Sequence, residues 1–149
     1  MSNGENILIS LESRHAENIL SGIKRVELRR RPMHVECGTT VWIYVKVPVG
    51  SLVGCATVKN VVRSSPGALW RRFGAISGLS RDEFFEYFEG AEEGVALMLE
   101  NAEKLNAGLS LRELREVESG FQPPQFFVRL DSGHPILNAV AEIQLADCA

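Results

Sequence analysis

Residues 39–62 constrain the fold more than any other stretch of this chain. They read TTVWIYVKV, then PVG, then SLVGCATVKNVV. β-Branched and aromatic side chains dominate both halves, and such residues suit a pleated, half-buried surface. Pro48 and Gly50 interrupt the run, so two neighbouring antiparallel strands are predicted. ILISL (residues 7–11) reads as a buried strand. Ser13 can cap a following helix, with Ala16, Ile19, Leu20 and Ile23 at helical spacing and Gly22 as its stop. VEL (residues 26–28) resumes strand character.

Further elements complete the pattern. Ser80-Arg-Asp-Glu83 and Ser110-Leu-Arg-Glu113 are capping boxes, with Leu79 and Phe84, then Leu109 and Leu114, placed as hydrophobic staples. GVALMLENAEKL (residues 94–105) suits a strand, although its Ala, Leu and Met also allow a helix. FFVRL (residues 126–130) reads as a closing strand. Pro135 at a first helical position, with apolar residues at 136, 137, 140 and 143, predicts a C-terminal helix. The order gives an α+β fold whose non-sequential strands curl into a small barrel. One domain is expected over residues 1–149, with a core over 7–130 and a helical extension over 134–146.

No run of about 18 apolar residues is present, so no membrane-spanning helix is expected. The N-terminus MSNGENILIS has no basic region followed by an apolar one, which argues against a secretory signal. Cys37, Cys55 and Cys148 are odd in number and form no CxxC, which fits a reducing cytoplasm. His34-Val-Glu-Cys37 has metal-like spacing, with Cys55 as a third candidate ligand, but strong sites come as paired ligand clusters. No metal or other cofactor is expected.

Charge is unevenly distributed. Residues 14–31 hold six Arg or Lys against two Glu, a segment of net +4 in a chain of net charge -3. Residues 82–118 hold eleven acids against three bases. Screening over a Debye length of about 8 Å lets the two fields coexist. The basic segment centres on SGIKRVELRRRP (residues 21–32). Strand alternation puts Lys24, Val26, Leu28 and Arg30 on one face and Arg25, Glu27, Arg29 and Arg31 on the other. Val26 and Leu28 are expected to face inward. Glu27 can then hold a neighbouring guanidinium and aim it at a phosphate or a base edge. A solvated edge strand blunted by charge is the alternative.

ILSGIKRVELRRR resembles the signature of the ASCH domain, named for homology to an activating signal cointegrator. The resemblance continues through VWIYVKVPVGSLVGCATVKNV, SRDEFFEYFEG and PPQFF, and spans roughly residues 7–130. It implies a PUA-like β-barrel with flanking helices and a ligand cleft between barrel and first helix. Lys24 and Glu27 fall in the family's G-x-K-x-x-E core, followed by Arg29. Tyr44 and Lys46 are implied on the adjacent strand, and Gln125 and Phe126 on the C-terminal segment. The implied ligand set is Lys24, Arg25, Glu27, Arg29, Arg30, Tyr44, Lys46 and Gln125. Tyr44 is either a stacking platform or a half-buried strand tyrosine. Trp42, Trp70, Phe126 and Phe127 are expected to fill core space.

The resemblance implies binding of single-stranded RNA or a nucleotide-like ligand in a basic cleft, in RNA metabolism or transcription. The alternative is a metal-independent hydrolase, either an N4-acylcytidine-type amidohydrolase or a ribonuclease, with Lys24 and Glu27 as catalytic candidates. In the amidohydrolases a Thr follows the Lys by three residues, where this chain has Glu27. His15, His34 and His134 are widely spread and suggest no catalytic pairing. A protein partner or second copy through the C-terminal helix is the third reading.

Overall fold

The computed structural model describes the backbone of residues 2–148 and side chains up to residue 144. Strands β1 (Asn6–Leu11), β2 (Val26–Arg29), β3 (Thr40–Val45), β4 (Ser51–Ser64), β5 (Gly94–Ser110) and β6 (Val128–Arg129) form one sheet in the order β2-β5-β4-β3-β1-β6. Only β1 and β3 run parallel; the other pairs are antiparallel. Helices α1 (Ser13–Leu20), α2 (Pro66–Phe73), α3 (Arg81–Tyr87), α4 (Leu111–Val117) and α5 (Pro135–Cys148) flank it.

The long β4 and β5 strands carry register shifts near residues 52–54, 55–57 and 58–60. Bulges of this kind bend a strand and increase its twist, so the sheet curls into a half-barrel. Gly54 permits a close approach of β4 to β5: a Cβ there would stand 2.4 Å from the Glu103 carbonyl oxygen. Ile9, Ile43, Val58 and Leu97 form the core inside the curl, which α1 closes with Ala16 and Ile19. On the outer face, α4 and α5 cover Leu8, Trp42, Tyr44 and Leu52. Farther along that face, α2 and α3 cover Val26, Leu28 and Ala96.

Both capping boxes are formed. The segment at residues 94–105, which also allowed a helix, is strand throughout. The closing strand shrinks to Val128–Arg129, because Phe126 and Phe127 pack on the inner core and leave the ladder. Helix α2 is an element beyond those expected from the sequence. Ser65 caps it by accepting from the Ala68 N–H, and Pro66 opens it. Ile136 and Val140 of α5 are buried, and Leu137, Ala139 and Ile143 pack beside them. That apolar face is thus covered by the chain's own core. Among the described residues, no helix is long and apolar enough to cross a membrane.

Candidate functional site

Two polypeptide links fix the start of β2. The Lys24 N–H donates to Asn18 O, and the Arg25 N–H donates to Ile76 O. Residues 24 and 25 are thereby held between the end of α1 and the loop before α3. Gly78 turns that loop at φ +70° and lies against the Lys24 side chain, a conformation that glycine adopts without strain. Lys24 is 3% exposed, and its ammonium donates to the Ser77 carbonyl. Burial lowers its pKa; Glu27 opposes this, and Arg14 and Arg29 add to the lowering.

Within β2, alternation assigns the faces. Val26 pairs with Met98 and Leu28 with Ala96, on the face covered by α2 and α3. Glu27 pairs with Leu97 and Arg29 with Val95, inside the curl. Val26 and Leu28 are buried in a core as expected, with Glu27 and Arg29 on the opposite face; that core is the layer under α2 and α3 and not the one inside the curl. The second apolar layer takes the hydrophobic side of this strand.

Glu27 Oε2 accepts from Arg29 Nε at 3.0 Å and is ion-paired with Arg29 Nη2 at 2.8 Å. Arg29 Nη1 donates to the Phe126 carbonyl at 3.0 Å, which ties β2 to the segment carrying Gln125. A guanidinium has five N–H groups. Two are spent on Glu27 and Phe126, and Nη2 also faces the Glu27 carboxylate. Lys24 and Glu27 feel each other's charge but form no ion pair. Lys24 is bonded to Ser77 and Glu27 to Arg29, so the paired acid–base unit expected from the sequence is replaced by two separately anchored groups.

These side chains form the floor of a cleft of about 660 Å3. Its walls include His15 on α1, Tyr87 on α3, and Lys46 and Gln125 at exposed positions. Arg14 joins the walls: its guanidinium donates to both Glu83 carboxylate oxygens, at 2.6 and 2.9 Å, and to Gly78 O at 3.1 Å. The bond to Arg14 is the main reason the Glu83 carboxyl is held down to about 2. Burial pushes the Tyr87 hydroxyl up, and it donates to Leu28 O at 3.1 Å. The lining carries Glu12, Glu27, Glu83 and Glu86 against Lys24, Arg29 and Lys46. Its charge is mixed, so this is not the basic cleft expected from the sequence.

Lys24, Glu27, Arg29, Lys46 and Gln125 thus come together, and three other candidates do not join them. Tyr44 is 1% exposed on the outer face, edge-on to Phe121 at 6.3 Å. It is not among the cleft's lining residues, and its burial leaves no free ring face for a base. Arg25 is exposed and lines neither recess. Arg30 donates to the Tyr87 and Glu89 carbonyls at 2.7 and 2.8 Å, satisfying the end of α3. It lines a second recess with Arg31, Arg63, Glu92 and Glu93.

Trp42 and Trp70 pack in the outer layers, as their composition suggested. Among the described residues, no three His, Cys, Asp or Glu side chains gather as a metal site. Cys37 is exposed, with its thiol on the Lys59 carbonyl, and burial pushes the Cys55 thiol up to about 11. The Cys148 side chain lies outside the described residues. The polar cleft residues not foreseen from the sequence include His15 and Tyr87, with Glu12, Glu83 and Glu86 beside them. His15 carried one usable signal: it sits on the first helix, beside which the resemblance located a cleft.

The sequence model of the ASCH domain matches residues 9–108. An ASCH domain-containing ribonuclease from Zymomonas mobilis subsp. mobilis is 36% identical over 118 residues, which are 79% of each chain. The crystal structure of the ASCH protein from Zymomonas mobilis is similar with a TM-score of 0.84 and 32% identity, covering 91% of this chain and 96% of that one. A variant of that protein gives a TM-score of 0.86 at 32% identity, over 95% of this chain and 98% of the other.

Proposed function

The chain belongs to the ASCH domain family, and we propose that its cleft binds and cleaves single-stranded RNA without a metal ion. The observation that carries this reading is the floor of the cleft: a buried lysine beside an arginine whose direction is fixed by a buried carboxylate. Such cations are oriented before any ligand arrives and need little reorganisation as charge develops on a phosphate. A volume of about 660 Å3 suits one nucleotide with its phosphate. The relative named as a ribonuclease supports RNA as the substrate class.

The assigned roles follow from exposure. Lys24 and the remaining Arg29 N–H groups hold the scissile phosphate. Lys46, at the rim, meets a neighbouring phosphate. Gln125 offers both a donor and an acceptor to a base edge. With Tyr44 buried, base stacking is not part of the reading. A compact cleft of mixed charge favours chemistry on one linkage over passive tracking of a long polymer. The amidohydrolase reading weakens, because the hydroxyl three residues after Lys24 is replaced by a carboxylate held on Arg29.

The test uses a labelled mixed-sequence 12-nucleotide single-stranded RNA, with wild-type protein and Lys24→Met, in buffer containing chelator. Cleavage by the wild type that is lost in the variant is expected. Equal cleavage by both, or none by either, contradicts the reading.

A further inference from the structure

The chain has two tryptophans, and they are held differently. Trp42 is 8% exposed, and its indole N–H donates to Asn6 Oδ1 at 2.9 Å. Trp70, on α2, is half-buried. One side of its ring lies on Gly74, where a Cβ would stand 2.7 Å from the ring. Phe84 meets it edge-on at 5.1 Å, and Phe85 stands tilted to it at 6.1 Å. Among the described residues its indole N–H donates to no group, and it is not sealed from solvent. A tryptophan that only fills a core normally finds a partner for that N–H. Trp70 instead presents a partly open ring with an unused donor.

Arginines surround this ring. Arg81 lays its guanidinium over Phe85, 4.9 Å from the ring centroid, and Arg71 and Arg72 end α2. All three are exposed, and among the described residues none is paired with a carboxylate. Arg14, Arg29, Arg63 and Arg112 each meet a glutamate. Asp82, next to Arg81 in the chain, is one exposed acid against these three bases. Open aromatic rings beside unpaired guanidinia suit single-stranded nucleic acid, whose bases stack on the rings while its phosphates meet the cations.

This surface joins the cleft through residues 74–79, GAISGL, which carry no charged side chain. Gly74 lies under Trp70, and Ser77 holds the Lys24 ammonium. The two are the ends of one 3₁₀ turn, and the Ser77 hydroxyl donates to Gly74 O at 2.8 Å. Such a turn rises only about 6 Å. A strand leaving the cleft over this segment meets no carboxylate, whereas one crossing α3 meets the exposed Asp82 and Glu86. Resting on the RNA reading above, we propose that Trp70, with Arg71 and Arg81 beside it, is a second subsite that stacks a base of the RNA outside the cleft. The subsite adds affinity and takes no part in breaking the bond.

The experiment compares wild-type, Trp70→Ala, Trp70→Phe and Arg81→Glu proteins, with thermal melts reporting folding. Anisotropy of the labelled 12-nucleotide RNA reports binding, and cleavage rates separate KM from kcat. Trp70→Ala and Arg81→Glu are expected to weaken binding about tenfold and to raise KM alike, with kcat within twofold of wild type. Trp70→Phe keeps a ring and stays within threefold in affinity. Unlabelled RNA quenches the tryptophan fluorescence of the wild type but not that of Trp70→Phe, in which only the buried Trp42 remains. Unchanged affinity in folded Trp70→Ala and Arg81→Glu overturns the proposal and leaves the cleft reading standing, as it would if the surface served a protein partner. Full quenching in Trp70→Phe overturns it as well. A wild type that neither binds nor cleaves RNA removes the functional reading itself, and the proposal with it.

Discussion

The cleft and the second recess draw on the same basic stretch and differ in nearly every physical respect. In the cleft, Lys24 and Arg29 are buried and their directions are set by Ser77, Glu27 and Phe126. In the recess, Arg30, Arg31 and Arg63 face Glu92 and Glu93. Arg63 meets Glu93 at 3.6 Å, with both side chains more than half exposed. A buried, anchored cation acts on a ligand at low local dielectric, whereas an exposed one is screened by water and salt. The six bases of residues 14–31 therefore do not sum to a single field. Arg14 closes a wall, Lys24 and Arg29 make the floor, Arg30 ends a helix, and Arg25 is exposed outside both.

The largest break in this comparison is expected from Lys24→Met. It keeps the stem volume and removes the charge, so cleavage should fall by about 100-fold or more with the melting temperature preserved. Single-turnover cleavage and a thermal melt measure both. Arg63→Ala should leave cleavage within twofold of wild type in the same assay.

Next is Glu27→Ala, which leaves Arg29 buried without its carboxylate. The cost should be about 3–5 kcal/mol of stability in urea unfolding. The double variant Glu27→Leu, Arg29→Met should recover most of that loss while remaining inactive. This outcome would separate the pair's role in the site from its role in folding. If Glu27→Ala costs no more than Arg63→Ala, whose exposed pair contributes about 0–1 kcal/mol, the contrast between the two regions is wrong.

A smaller effect is expected at the wall. Glu83 is held down to about 2, chiefly by Arg14. A depressed folded pKa means that the stabilisation is complete above the unfolded carboxylate value and is lost as pH falls toward about 2. Arg14→Ala should move the Glu83 titration, followed by NMR, up toward the ordinary carboxylate range. An unmoved titration would show that the helix cap alone sets it.

Much of the fold was legible because its signals are local. Both capping boxes, the turn at Pro48 and Gly50, and the Pro135 helix start each depend on a few adjacent residues. Helix α2 used the same grammar, Ser65 then Pro66, but followed a strand pattern strong enough to mask it. The site was less legible for a different reason. Period-two alternation separates two faces without saying which meets the cleft. Alternation gave Val26 and Leu28 to a core without saying that it is the one under α2 and α3, and Tyr44, which the resemblance implied at the site, is buried on the outer face. His15 escaped notice because its neighbours Lys24 and Glu27 are brought to it by the turn of the chain after α1. Proximity in sequence carries no trace of that arrangement.

The central claim is that anchored, buried cations form the RNA site, and that the density of positive charge in the sequence does not. Fluorescence anisotropy of the labelled 12-nucleotide RNA at several salt concentrations tests it most directly, for wild-type, Lys24→Met and Arg31→Ala proteins. Lys24→Met should weaken binding and reduce the slope of log affinity against log salt by about 0.7, the value for one lost single-strand phosphate contact. Arg31→Ala should change neither. A slope that falls with Arg31→Ala and stays fixed with Lys24→Met would contradict the account.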